Sequence, residues 1–217
     1  LGEDLEHQVV TVGGFDGGHQ RQQQFLGRHL VGGEHQRAGA GEFAASVLAP
    51  KGQIEVVQFF SYGCSHCKNF DPVFEAWRKT AANDVSVRLV HVGFNKNFEP
   101  LQRIYYALES LGQAQALNGK VFKAFQDEKK RLDQPEVLFP WVAEQGVDRA
   151  KFEAAYQSFS VATQVRQAIQ LQDQYQVEGT PAMGIAGRYY TDGSMAGGFE
   201  RMIQITNQLI EQERKRT

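Results

Sequence analysis

Only two cysteines occur in the 217 residues, and both lie in one tetrapeptide, Cys64-Ser65-His66-Cys67. Two thiols with two residues between them can close and reopen a disulfide through a mixed disulfide with another protein. The apolar run Ile54-Glu55-Val56-Val57-Gln58-Phe59-Phe60 lies just upstream. A strand that hands a thiol to the first turn of a helix sets it against unpaired backbone N–H groups and the positive end of the helix dipole. Both favour the thiolate, which is the reactive form. Redox exchange is therefore the leading chemistry.

Three other uses of the pair are weaker. Structural zinc needs about four ligands, and outside the first 43 residues the histidines are only His66 and His91. A stapling disulfide across so short a loop restricts the unfolded chain little. Two inert buried thiols need no strand-to-helix setting.

The elements that must position the motif follow from the pattern of apolar residues. Ile54 to Phe60 reads as a strand buried on both faces. A helix is expected from about Cys64 to Thr80, with Phe70, Val73, Phe74 and Trp77 on one face and a kink at Pro72. Val85 to Val92 reads as a second strand, parallel to the first through a right-handed crossover. Helical stripes follow: Leu101, Ile104, Tyr105, Leu108 and Leu111, then Leu117, Val121, Ala124 and Phe125. Val137 to Gln145 is helical but carries Pro140, where it either starts late or bends. Asp148 can cap a helix with Phe152, Ala155, Tyr156 and Phe159 on one face, and a longer helix runs from about Ala162 to Tyr175. Ala182 to Ala186 and Arg188 to Thr191 read as a hairpin turning at Gly187, and Phe199 to Glu213 as a closing helix. The arrangement describes an α/β chain with a thioredoxin-like fold, residues 44–94 and 161–217, interrupted by an all-helical insertion, residues 95–160.

The net charge of -2 leaves no basic footprint for nucleic acid. No run approaches the roughly 18 apolar residues that span a bilayer. Residues 1–43 hold four of the six histidines amid scattered glycines and glutamines. They are expected to be a disordered or loosely attached head, because such a composition buries too little surface to offset its ordering entropy. Weak metal binding by His7, His19, His29 and His35 is the lesser reading. No signal-peptide pattern is visible, and a chain opening on Leu1 is expected of a fragment.

From about Ala49 to Gln212 the sequence resembles the DsbA family of periplasmic thiol:disulfide oxidoreductases. The resemblance rests on Gln58-Phe59-Phe60-Ser61-Tyr62-Gly63-Cys64-Ser65-His66-Cys67, on Gly179-Thr180-Pro181-Ala182, on the helical insertion between them, and on Gly146-Val147-Asp148-Arg149-Ala150-Lys151-Phe152 within it. It implies that Cys64 is the exposed nucleophile and Cys67 the buried resolving cysteine, with no cofactor beyond their disulfide. Reduced or unfolded proteins would receive the disulfide, and a DsbB-like quinone-coupled membrane protein would restore it. His66 is expected to tune the Cys64 sulfur by a hydrogen bond or a positive charge. Thr180-Pro181 is expected to be cis and to present the Thr180 backbone to an extended substrate chain. Gly63, Met183 and the loop near Phe94 are expected to line an apolar groove. With no dimerisation module in view, a monomer is expected.

The chain departs from the family pattern in two places. Ser65 stands where the family has proline, which shifts the tuning of the pair. Gln58 and Leu89 occupy the positions of a buried acid and its lysine partner, a coherent double replacement because either charge alone would be buried unpaired. A water held by Gln58 is then the expected route for the Cys67 proton. A reductase or isomerase of the same fold, or a redox-inactive client-binding module, is the alternative function.

Overall fold

Seven consecutive buried residues, Ile54–Phe60, form the strand β2 inside the sheet. The computed structural model describes residues 10–11, 45 and 47–216. Strand β1 (Val10–Thr11) comes first, followed after β2 by helix α1 (Ser65–Thr80) and strand β3 (Val85–His91). Five further helices come next: α2 (Glu99–Ser110), α3 (Ala114–Phe122), α4 (Pro135–Glu144), α5 (Arg149–Gln157) and α6 (Phe159–Gln174). The chain then returns through β4 (Ala182–Ile185) and β5 (Tyr189–Asp192) to the short α7 (Gly193–Ala196) and the closing α8 (Phe199–Arg214).

The sheet order is β1-β5-β4-β2-β3. β2 runs parallel to β3, with Gln58 opposite Leu89, and antiparallel to β4, with Gln58 opposite Met183. Pairing on both edges and cover on both faces is why β2 is apolar almost throughout. α8 packs on β2, β4, β5 and α1, and Trp77 of α1 donates to Asn207 of α8 at 2.8 Å. α2 and α6 pack against β3 and against each other, and α2 also meets α3 and α5. This is a thioredoxin-like fold with inserted helices.

Local chemistry sets the boundaries. α1 runs unbroken through Pro72, with Phe70, Phe74 and Trp77 buried. α4 starts at Pro135, so it does not start late, and it continues through Pro140. Pro135 sits at the first turn, where no N–H is needed, and Pro140 is on the exposed side, where water can serve the freed carbonyl. Asp148 caps α5 by accepting from the Lys151 N–H at 3.0 Å. Two expectations need correction. α6 begins at Phe159 rather than near Ala162, because the Ser158 hydroxyl accepts from the Val161 N–H and starts the helix there. Phe159 is accordingly 79% exposed instead of inward, and Arg166 stacks over its ring at 5.3 Å. The stripe of Leu117, Val121, Ala124 and Phe125 does face the core as expected. A π-helical turn, Lys123–Asp127, continues from α3, with Ala124 buried and Phe125 half-buried against the core.

Gly184 of β4 faces Tyr175, whose ring would lie 2.6 Å from any Cβ placed there. The Tyr175 hydroxyl in turn accepts from the Gly187 N–H in the β4–β5 turn, so the end of α6 is seated on the hairpin. Val10–Thr11 pairs antiparallel with β5. The remainder of the expected head, with His7, His19, His29 and His35, lies outside the described residues. Among the described residues no helix is long and apolar enough to cross a membrane.

Candidate active site

Cys64 is the N-cap of α1, and its Sγ accepts from the Cys67 N–H at 3.4 Å. A side-chain acceptor is what a helix start requires, and here a sulfur fills the role usually given to serine or aspartate. The same sulfur lies 3.2 Å from the Thr180 carbonyl oxygen, across a separation of 116 residues. The Thr180-Pro181 peptide is cis, as expected. Both cysteines are free thiols, with Cys64 partly exposed and Cys67 buried.

The two thiols are driven apart in acidity. A hydrogen bond from Cys67, the Thr180 side chain and the backbone N–H groups of Cys67 and His66 outweigh partial burial and hold the Cys64 thiol down at about 5. Burial, then the hydrogen bond to Cys64 and its charge, push the Cys67 thiol far above the ordinary thiol range. One sulfur is poised as a thiolate and its neighbour is kept protonated.

The loop before Cys64 is tied down from three directions. The Tyr62 N–H donates to His91 Nε2 at 3.0 Å, and Nδ1 of the same ring donates to the Val92 carbonyl at 2.9 Å. His91 is completely buried, and burial lowers its pKa to about 3, so the imidazole is neutral. The Gln126 side-chain amide, from the π-helical turn, donates to the carbonyls of Tyr62 at 2.7 Å and Cys64 at 3.0 Å. Beneath the loop Phe60, Tyr62, His91, Tyr105 and Phe122 pack edge-on or tilted, joining β2 and β3 to the inserted helices. Neither Gln126 nor His91 was singled out by the sequence for this role. Gln126 falls outside the apolar stripe of Leu117, Val121, Ala124 and Phe125, and it reaches the loop from the π-helical turn.

The other expected site residues fall as follows. Ser65 and His66 are exposed at the start of α1, and His66 shares a cavity of about 420 Å³ with Thr180, Pro181 and Asp192. What reaches Cys64 from His66 is its backbone N–H. Gln58 is buried and its Oε1 has no hydrogen-bond partner. Met183 is fully buried on β4 with its side chain in the core, so it cannot line a surface groove. Phe94 is 41% exposed but packs on Phe98, apart from the cavities flanking Cys64. Among the described residues no group of three or more His, Cys, Asp or Glu is placed to hold a metal.

A thioredoxin fold with a thiolate-stabilised sulfur at a helix start, a buried partner thiol and a cis-proline segment beside them defines a thiol:disulfide oxidoreductase. Comparison with known proteins narrows the class. A DSBA-like thioredoxin domain matches residues 93–209, and a thioredoxin domain matches residues 36–104. The chain is 44% identical over 165 residues to the thiol:disulfide interchange protein DsbA of Bordetella parapertussis, covering 76% of this chain and 78% of that protein. It is 36% identical over 167 residues to the same protein of Pseudomonas aeruginosa. The crystal structure of Pseudomonas aeruginosa DsbA superposes with a TM-score of 0.76 at 34% identity, covering 80% of this chain and 90% of that one. DsbA from Xylella fastidiosa gives 0.71 at 32%, over 77% and 90%. The chain belongs to the DsbA family, whose members work through their own redox-active cysteine pair without a cofactor.

Proposed function

We propose that the protein donates the Cys64-Cys67 disulfide to reduced, folding proteins in the periplasm. The observation that carries this reading is the geometry of the pair: the Cys64 sulfur caps α1, accepting from the Cys67 N–H at 3.4 Å beside the cis Thr180-Pro181 segment, while Cys67 is buried, an arrangement that lowers the pKa of the first thiol and raises that of the second. A client thiolate attacks the Cys64 sulfur of the disulfide. The S–S bond breaks with its electron pair leaving on Cys67, which takes up a proton. A second client thiolate then attacks the client's own sulfur in the mixed disulfide and releases Cys64 as a thiolate. The client loses two electrons and the protein gains them. Because the released thiolate is stabilised, the reduced form is favoured and the disulfide is an oxidant.

In this reading Thr180 offers its backbone to the client chain beside Pro181. Ser65 and His66 set the local potential, and Gln58 holds a water that serves the Cys67 proton. A DsbB-like quinone-coupled membrane protein restores the disulfide, and the protein acts as a monomer. Residues 44–94 and 161–217 carry the chemistry, and residues 95–160 form a helical domain over it.

The test is transfer from the oxidised protein to a reduced two-cysteine peptide, with equilibration against glutathione. Stoichiometric transfer, abolished by Cys64→Ser, is expected. A dithiol pair that stays oxidised against the glutathione buffer would place the protein among reductases and overturn the donor reading.

A further inference from the structure

Residues next to Cys64 line two cavities, His66 in one with Asp192, and Gly63 and Ser65 in a second that is rich in cations. Gly63 and Ser65, the residues on either side of Cys64, form one wall of a cleft of about 580 Å³, and Lys68, Lys129, Lys130 and Arg131 stand around the rest. We propose that this cleft binds acidic, extended chain next to the cysteine of a client protein, so that clients with Asp or Glu flanking their thiols are oxidised preferentially. This rests on the disulfide-donor reading above.

The charge is local. The whole chain is net -2. Here the five cations Lys68, Lys123, Lys129, Lys130 and Arg131 outnumber the carboxylates of Asp127, Glu128 and Asp133. Those carboxylates are already engaged: Asp127 by Lys68, Glu128 by Lys130 at 3.1 Å and Lys123 at 3.9 Å, and Asp133 by Arg131 at 2.7 Å. Lys129 has no carboxylate partner among the described residues and is exposed. Its backbone is left-handed, with φ of 56°, and the next N–H, that of Lys130, closes onto the Ala124 carbonyl at 2.9 Å. The turn that follows the π-helical segment therefore holds Lys129 in the cleft that Gly63 and Ser65 also line. On the opposite flank the cavity of His66, Thr180 and Pro181 contains Asp192, whose Oδ1 accepts from the Ser194 and Met195 N–H groups. A client chain crossing Cys64 meets carboxylate on one side and excess cation on the other. Such asymmetry discriminates among clients by encounter rate.

Oxidation rates of three two-cysteine peptides that differ only in having glutamates, glutamines or lysines beside the thiols test the idea. Each rate is divided by that of the same peptide with a neutral small-molecule disulfide, which removes differences in thiol acidity. The expected glutamate-to-lysine ratio is about tenfold at low salt and falls toward one near 1 M salt, where the screening length is about 3 Å. A K129N/K130Q variant, with asparagine chosen because it tolerates the left-handed backbone, should cut the ratio severalfold. A ratio near one at low salt, or a ratio untouched by the variant, overturns the acidic-client proposal. Failure to oxidise even the glutamine peptide overturns the donor reading instead.

Discussion

The side-chain amide of Gln126 donates to the carbonyl oxygen of Cys64 at 3.0 Å, tying the end of the inserted α3 to the first residue of the redox motif. The same amide holds the Tyr62 carbonyl. The Cys64 carbonyl is also the acceptor for the Lys68 N–H in the first turn of α1. The inserted helices therefore brace the backbone that carries the reactive sulfur.

Gln126→Ala removes both bonds from a half-buried site. A loss of about 1 kcal/mol in stability is expected, together with faster amide exchange across Gly63 to Cys67 and a higher Cys64 pKa. Exchange and thiol titration that match the parent protein would show that Gln126 only fills space.

Alkylation of the reduced protein should titrate at about 5, and Cys64→Ser should abolish that transition. The folded pKa lies below the ordinary value of 9.0, so the folded dithiol binds fewer protons than the unfolded chain between those limits. Its stability therefore rises with pH through that window and is lost as pH falls toward 5. The oxidised form has no thiol to titrate. Paired denaturant titrations should show the stability gap between reduced and oxidised protein widening from pH 5 toward 9, and a constant gap would contradict the thiolate assignment.

Gln58 separates stability from turnover. Its Oε1 is buried with no protein partner among the described residues, which leaves it to the proposed water, and replacing a buried polar group together with its partner by an apolar side chain of similar size is nearly neutral or stabilising. Gln58→Leu should therefore leave stability equal or higher while slowing resolution of a mixed disulfide at Cys64. Resolution at an unchanged rate in Gln58→Leu or Gln58→Ala would remove Gln58 from the proton path.

His91 makes the fold acid-sensitive. Its pKa is lowered from 6.5 to about 3 by burial, so between those values the unfolded chain takes up a proton that the folded chain refuses. Stability should fall with decreasing pH by up to about 1.4 kcal/mol per unit from this group. Asp71, raised by burial to about 6, acts in the opposite sense as its carboxyl protonates. The difference between parent and His91→Gln isolates the histidine: the variant should be less stable at neutral pH and lose less on acidification. Parallel pH profiles would show that the ring is not excluded from protonation.

Features that depend on local backbone chemistry are legible in the order of the residues. A continuous apolar strand followed by Cys64-Ser65-His66-Cys67 places a thiol at a helix start, and Ile54–Phe60, α1 and the β4–β5 hairpin lie where their side-chain periodicity put them. The segment Thr180-Pro181 was recognisable by resemblance. Phe159 faces outward because the capping serine before it, Ser158, starts α6 there and ends the apolar stripe of α5. Met183 lies inward because β4 is an interior strand, paired on both edges and buried at every residue, so neither parity reaches the surface. Long-range packing brings Cys64 to Thr180 across 116 residues, lets Gln126 reach the loop from a π turn, and buries His91 so that it stays neutral. The cationic cleft lined by Gly63 and Ser65 is set the same way, since its charges come from α1 and from the turn after α3. Such relationships arise from long-range register and helix packing, which local periodicity does not encode.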